Sequence, residues 1–369
     1  MNCCSFIHTA DWHLHRFRSC SKNNGLDRLN DGLSVVEQIF DYASEYECPI
    51  VVAGDLKQQK GTWDQLALSG LIDICERHSH VQVLALSGNG NHDGTGKETT
   101  GESALAPLRL HMRCHSEPFV GRLDIFDEMP IALWPWQPTL EALPQFLRDA
   151  EFHGARILFG HGMFEGSAVG PIEYRPSGAP LKLSDFGLSG PPKNRKFDAA
   201  FFGDVHKKQK LGGVYYCGSP YAQNWGEREI DKGVYFVEID WNAEKGRIDS
   251  IKATELRIKA PRYRVIDLSK RLPSKVPWGK FKDDFVRVLV PVGMSLNTEQ
   301  VQEETKARWL EFRPIRKVQK IERKEEINAA MSPVDIIEGY VRAVPPGEEF
   351  SARDVAKLGL KLWKEGGAK

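Results

Sequence analysis

Five clusters of Asp, His and Asn stand out in the chain, each directly after an apolar run: Asp11 and His13; Asp55; Asn91, His92 and Asp93; His161; Asp204 and His206. Carboxylate oxygens and imidazole nitrogens in one set suit Mn2+, Fe2+ or Zn2+. In Asp-x-His both side chains fall on one face of an extended segment, because side chains alternate along it. Asp11 with His13 forms one such pair and Asp204 with His206 another. Asp55 offers a carboxylate able to bridge two ions. Asn91-His92 offers a neutral ligand beside a proton donor. Two ions ~3.5–4 Å apart form a clamp for in-line attack at phosphorus. Taken singly, each residue has a plainer reading. Gly90-Asn91-His92-Asp93 could be a surface turn, His13 a loop histidine, Asp55 a helix N-cap, and His161 a satisfied core histidine. The joint occurrence, with most clusters beside a glycine, favours the metal reading.

The elements that must carry these residues are legible as apolar runs. Ser5 to Thr9, Ile50 to Ala53, Val81 to Leu86, Ile131 to Trp134, Ile157 to Phe159, Ala199 to Phe202, Val214 to Cys217 and Gly233 to Ile239 read as strands. Leu29, Leu33, Val36, Phe40 and Ala43 recur at helical spacing between Asp27 and Glu47. Further helices are expected over Thr62 to His78 and Leu140 to His153. Strands alternating with helices predict a layered α/β fold, with catalytic groups at strand ends. Residues 94–118 read as a long loop with a short helical piece, and 165–195, rich in Gly, Pro and Ser, as a long surface excursion. After residue 250 short β-like runs (Tyr263 to Ile266, Phe285 to Val292) alternate with charge, and Arg313, Arg316, Lys317, Lys320, Arg323 and Lys324 crowd together. Amphipathic helices are expected over 332–342 and Ser351 to Trp363, separated by Pro345-Pro346-Gly347.

With 369 residues, 41% hydrophobic and 27% charged, the chain reads as soluble, globular and of more than one domain. Lys+Arg 50 balances Asp+Glu 50, so any basic footprint for nucleic acid must be local. Seven scattered cysteines without a C-x-x-C pair argue against a cysteine zinc site and for a reduced, cytoplasmic setting. There is no signal-peptide pattern and no run approaching the ~20 apolar residues of a membrane span.

In this order Asp-x-His, Gly-Asp, Gly-Asn-His-Asp, Gly-His and Gly-x-x-His resemble the five motifs of the calcineurin-like metallophosphoesterases. HTADWHLHR at 8–16 and YYCGSPYAQNWGEREIDKGVYFVEID at 215–240 look like the SbcD branch, bacterial relatives of the Mre-eleven repair nucleases. The resemblance is specific over about 1–250 and looser beyond. It implies a four-layer sandwich of two mixed β-sheets flanked by helices over 1–250. A small α+β capping, DNA-binding domain would follow over 251–325, then C-terminal helices over 326–369. It implies a manganese-dependent DNA exonuclease, also an endonuclease, within an SbcCD-like end-processing complex. Its partners would be DNA, an SbcC-like (Rad-fifty-like) coiled-coil ATPase docked on the C-terminal helices, and a second copy of the chain. One ion would be held by Asp11, His13, Asp55 and His206, the other by Asp55, Asn91, His161 and Asp204. Mn2+ is the expected ion, with Mg2+ or Fe2+ as alternatives. His92 would protonate the leaving oxygen, oriented by Asp93, a contribution of ~10²–10⁴ in rate.

Three departures from the family pattern bear on the site. Asp204 stands where the family usually has His, Leu56-Lys57 follows Asp55 where it has an aromatic and then an acidic residue, and the extended Gly88-Asn89-Gly90-Asn91 turn allows a choice of Asn. Arg16, Lys57, Lys193, Arg195, Lys207 and Lys208 lie on or beside the site loops, where phosphate contacts are expected. Ordinary solvated surface is the plain alternative for them. Rival functions are a phosphodiesterase of the same fold acting on small substrates, and a non-catalytic DNA-binding protein with an altered site.

Overall fold

The computed structural model describes residues 2–94, 104–126, 129–169, 172–173, 181–191, 194–228, 230–315, 337 and 351–365. The chain runs β1 (Asn2–Thr9), α1 (Leu26–Glu45), β2 (Ile50–Val52), α2 (Gln65–Arg77), β3 (Val83–Leu86), β4 (Arg113–His115), β5 (Phe119–Arg122), β6 (Pro130–Trp134), α3 (Leu143–Phe152) and β7 (Ile157–His161). It continues through β8 (Ala168–Val169), β9 (Ile172–Glu173), β10 (Ala199–Gly203), β11 (Gln209–Leu211), β12 (Val214–Tyr216), β13 (Val234–Asn242) and β14 (Arg247–Leu256). Last come β15 (Tyr263–Asp267), β16 (Phe285–Pro291), α4 (Thr298–Thr305), β17 (Trp309–Ile315) and α5 (Ala352–Glu365).

Two mixed six-stranded sheets, in the orders β14-β13-β1-β2-β3-β4 and β11-β12-β10-β7-β6-β5, form the centre. In the first, β1 to β4 are parallel and β13 and β14 antiparallel; in the second, β6, β7, β10 and β12 are parallel and the edge strands antiparallel. Alternation assigns the faces. Phe6, Val51, Leu84 and Leu86 point inward from the first sheet and meet Leu133, Phe159 and Phe201 of the second. Their neighbours Ile7, Ile50, Val52 and Ala85 point outward under α1 and α2. Leu158, Ala200 and Phe202 point outward under α3 and Phe164, Phe186 and Phe197. This is the helix–sheet–sheet–helix sandwich that the resemblance implies. Strands covered on both faces read as unbroken apolar runs, which is why their positions are plain in the sequence. Phe6 sets the spacing of the inner layer, edge-on to Phe159 and Phe201 at 5.2 Å each. Each such buried ring contributes ~1.5–3 kcal/mol over its exposed state.

α2 is capped by Asp64, whose side chain accepts from Leu66 N and Ala67 N, so Asp55 is not needed as its N-cap. The 165–195 excursion is only partly surface, since Phe186 and Leu188 are fully buried beneath it. β4 lies within residues 94–118, where the sequence predicts a loop, β5 follows that stretch, and β14 runs across residue 250, where the composition changes.

The chain divides into two compact units, residues 1–290 with 294–313, and 291–293 with 314–369. In the first unit a small sheet, β15-β16-β17, adjoins the sandwich, with Tyr263 stacked on Phe285 at 4.7 Å. In the second, α5 begins after Ser351, whose hydroxyl accepts from Asp354 N at 3.1 Å. The expected 332–342 helix lies outside the described residues except for residue 337, which is helical; the basic run at 316–324 lies outside them entirely.

Candidate metal centre

Parallel strands of both sheets end at one place. Asp11 and His13 leave β1, Asp55 leaves β2, the 88–93 turn leaves β3, His161 ends β7, and Asp204 and His206 leave β10. The loops bind one another through backbone: Asp11 N donates to Gly54 O (3.0 Å), His13 N to Asp55 O (2.9 Å) and Leu14 N to Leu56 O (2.9 Å). Side chains join the two sheets. Asp204 N donates to Asp11 Oδ1 at 2.9 Å, and His161 Nδ1 donates to Ala53 O at 2.6 Å. Asp11, His13, Asp55 and Asp204 all have positive φ (56°, 44°, 57° and 88°). Left-handed backbone is disfavoured for such residues by ~1–2 kcal/mol each. Strain of this kind persists at functional sites because the surrounding structure over-determines it.

The ligand-type atoms converge. Asp55 is the hub: Oδ2 lies 3.6 Å from His13 Nε2 and 3.8 Å from His92 Nε2, and Oδ1 lies 3.5 Å from His161 Nε2. His161 Nε2 is 3.7 Å from Asp204 Oδ1, and the Nε2 atoms of His13 and His206 are 3.1 Å apart. Asp11, His13 and His206 have ligand atoms within 4.8 Å of one another; so do His13, Asp55 and His92, and so do Asp11, Asp55 and His161. Asp11 Oδ2, His13 Nδ1 and His161 Nε2 are buried without a hydrogen-bond partner. An unpaired buried polar atom costs ~1–3 kcal/mol. His161 is the most telling. With Nδ1–H on Ala53 O, its Nε2 faces two carboxylate oxygens, so either a proton or a cation must lie between them. The donor set therefore fits divalent ions, with Asp55 shared between two positions.

The electrostatics follow from burial and crowding. Burial pushes Asp11 up to about 6 against the pull of His206 and His161, and it also raises Asp204. Asp55 is held below the usual carboxylate range: burial opposes its charge, but His161, His13 and His92 outweigh it. Burial drives His13 down to about 3. His161 moves well above the ordinary histidine value, because Asp55, Asp204 and Asp11 together overcome its desolvation.

His92 is half-buried at the mouth. Its Nδ1 bonds Gln58 O at 2.6 Å, and its ring meets the edge of His13 at 4.5 Å. The Asp93 carboxylate makes no hydrogen bond to that ring. Its carboxylate accepts from the backbone N–H groups of Asp55 (2.8 Å), Gly88 (2.8 Å), Leu56 (3.3 Å) and Lys57 (3.3 Å), tying two loops together. Burial and the Asp55 charge raise Asp93 to about 6. Asn91 is exposed in the same turn; the backbone N–H of Asn89 donates to Asp55 Oδ1 at 2.7 Å, and the Asn89 side-chain oxygen accepts from Asn91 N at 2.9 Å.

Of the basic residues, Lys57 is buried, with its ammonium on the carbonyls of His92 (2.6 Å) and Gln59 rather than open to a phosphate. The capped 54–57 loop folds it inward. Arg16 pairs with Asp64 at 2.6 Å while staying partly exposed, Arg195 donates to Gly190 O at 3.0 Å, and Lys208 pairs with Glu255. Lys207 is half-buried, and Lys193 lies outside the described residues.

The sequence reading assigned no role to Gln223, Glu227 or Lys232. Gln223 Nε2 donates to Asp11 O at 3.0 Å, Glu227 Oε1 accepts from His206 Nδ1 at 2.9 Å, and Lys232 Nζ reaches Glu227 Oε2 at 2.6 Å and His206 O at 3.1 Å. All three lie in the 215–240 stretch quoted for the resemblance, which was the available signal.

No protein-family model matches the chain. It is 24% identical over 258 residues to the SbcD component of the SbcCD nuclease of Staphylococcus saprophyticus, a match over 63% of this chain and 65% of that protein. The chain thus spans slightly under two thirds of that relative's length. Among solved structures, a 5'-nucleotidase precursor from Thermus thermophilus matches with a TM-score of 0.38 at 14% identity, over 71% of this chain and 56% of that one. A hypothetical protein from the same organism matches with a TM-score of 0.36 at 9% identity, over 70% of this chain and 100% of that one.

Proposed function

We propose that the chain is a two-metal phosphodiesterase of the calcineurin-like type acting on DNA, an SbcD-like nuclease. The observation that carries the reading is the convergence of Asp11, His13, Asp55, His161, Asp204 and His206, with orphaned buried atoms on Asp11 and His161. Asp11, His13, Asp55 and His206 would hold one ion. Asp55, His161 and Asp204 would hold the other, with Asn91 of the 88–93 turn. Three imidazoles among the ligands favour Mn2+ or another transition ion over all-oxygen Mg2+ chemistry. When bound, such a pair supplies Lewis-acid activation of the phosphate and of the attacking water. The chain's own part is orientation and proton handling. His161 Nδ1–H on Ala53 O and His206 Nδ1–H on Glu227 turn both Nε2 lone pairs to the site. His92, anchored through Nδ1, presents Nε2 at the mouth, the atom that would pass a proton to the leaving oxygen. Asp93 holds the loops that carry Asp55 and the 88–93 turn in register.

The DNA substrate is supported by the similarity to the SbcD component of SbcCD and by Arg16, Lys207 and Lys208 on or beside the site loops; Arg195 stands against Gly190 and Gly213, at the opposite end of β10 from Asp204. Docking of an SbcC-like ATPase on the C-terminal helices, and a homodimer, extend the same reading. The test is Mn2+-dependent degradation of end-labelled duplex and single-stranded DNA by wild type, His92→Gln and Asp204→Ala. Loss in both variants supports the assignment. Activity surviving Asp204→Ala removes Asp204 from the ligand set, and an inactive wild type, with and without an SbcC-like partner, refutes the nuclease reading.

A further inference from the structure

The stretch from Gly218 to Lys232 resembles surface by composition, with alternating charges and a Gly-Ser-Pro turn. In the fold Gly218 to Gln223 and Glu227 are buried behind one half of the candidate metal centre. Glu227 is 7% exposed and Ser219 fully buried. Glu227 Oε1 takes His206 Nδ1 at 2.9 Å and Asn224 Nδ2 at 3.2 Å; Oε2 takes Lys232 Nζ at 2.6 Å, Ser219 Oγ at 3.3 Å and Gln223 N at 3.3 Å. Every direction around this carboxylate is occupied, so it has one available position. Lys232 closes a ring, because the same ammonium that bonds Glu227 also bonds the carbonyl of His206 and Ser219 Oγ (2.5 Å). The loop reaches the neighbouring ligand as well, through Gln223 Nε2 on Asp11 O.

We infer that Glu227 is a positioning residue for His206, held by Lys232, and that it sets the affinity of the ion shared by Asp11, His13, Asp55 and His206. The inference rests on the two-metal reading. A carboxylate on Nδ1 fixes the tautomer with its lone pair on Nε2 and fixes the ring's rotation. Partners of this kind typically contribute ~10–100-fold in metal affinity. The function depends on reach to Nδ1. Charge alone would not do it, since Lys232 already neutralises the carboxylate. Glu227→Gln keeps the reach and an acceptor oxygen while losing charge. Glu227→Asp keeps the charge and withdraws by one methylene.

The experiment is calorimetric titration of Mn2+ into the metal-free full chain, for wild type, Glu227→Gln, Glu227→Asp and Glu227→Ala. Glu238→Gln, which breaks an exposed pair with Lys252, serves as the control, and circular dichroism checks folding. The expected result is ~10–100-fold weaker binding of one ion in the Asp and Ala variants. The Gln variant should stay nearer to wild type than either, and the control unchanged. If Glu227→Ala does not fold, the Gln and Asp variants decide alone. An Asp variant binding like wild type while the Gln variant fails overturns the inference, as do unchanged affinities throughout. A wild type that binds no ion overturns the two-metal reading itself, and with it this inference.

Discussion

Gly54→Ala tests whether the close approach of β2 to β7 builds the site. Gly54 has φ +90°, and a Cβ added there would overlap His161 Nδ1 and lie 2.7 Å from Gly88 Cα. The backbone cannot yield, because Asp55 N–H and Gly88 N–H are both fixed on Asp93. His161 must therefore move, which breaks its bond to Ala53 O. Left-handed backbone costs an alanine ~1–2 kcal/mol. The unpaired buried donor costs a further ~1–3 kcal/mol. The expected destabilisation is then ~2–5 kcal/mol by chemical denaturation. Gly154→Ala is the control: φ is +68° and nothing lies within 4 Å of its added Cβ, so it carries the ~1–2 kcal/mol of backbone strain alone. Mn2+ titration provides the second readout, and Gly54→Ala should lose the ion that His161 would hold while Gly154→Ala keeps both. If the two variants match in stability and in metal content, the steric reasoning is refuted.

Two further outcomes follow from the same geometry. Asp93→Asn should weaken Mn2+ binding along with turnover, because its carboxylate positions the Asp55 loop; unchanged affinity with lost turnover would return Asp93 to a role on His92. Metal affinity should rise with pH between roughly 5.5 and 8: Asp11, raised to about 6, takes up a proton below that value, and His161, raised above its ordinary range, holds one that an ion must displace. Calorimetry in buffers of different ionisation enthalpy should show proton release on binding, and a pH-independent affinity would contradict this.

The sequence is most legible where both faces of a strand are buried. β2, β7 and β10 are buried at every residue, so their apolar runs point directly at the ligands that follow them. It is least legible where burial is partial. β14 alternates exposed and half-buried residues, a pattern that charge-rich sequence hides, and β4 is three residues with an exposed arginine. Charged residues mislead for another reason. Lys57 and Glu227 carry the composition of solvated surface but are buried, and Lys232 is half-buried, because loops from distant parts of the chain close over them. No spacing rule reports such closure.

Why the ligands come from two sheets follows from the strain they share. Each loop alone would relax its left-handed residue. It is held because its partners lie on the other sheet: Asp11 Oδ1 accepts from Asp204 N, and His161 bonds the backbone of the residue before Gly54. Gly203 permits the approach, since a Cβ there would overlap Ala53 O and sit 2.7 Å from Ala10 Cβ. The apolar layer between the sheets, with Phe6, Phe159 and Phe201 at its centre, supplies the stability that keeps these ends together. The centre is thus a seam closed by few direct bonds, where the carboxylates of Asp11, Asp55 and Asp204 repel one another and His161 offsets them in part. Ions bound there would add attraction across the seam. Anything that binds the folded state alone stabilises it by mass action, so binding at this seam would couple metal affinity directly to the docking of one sheet on the other.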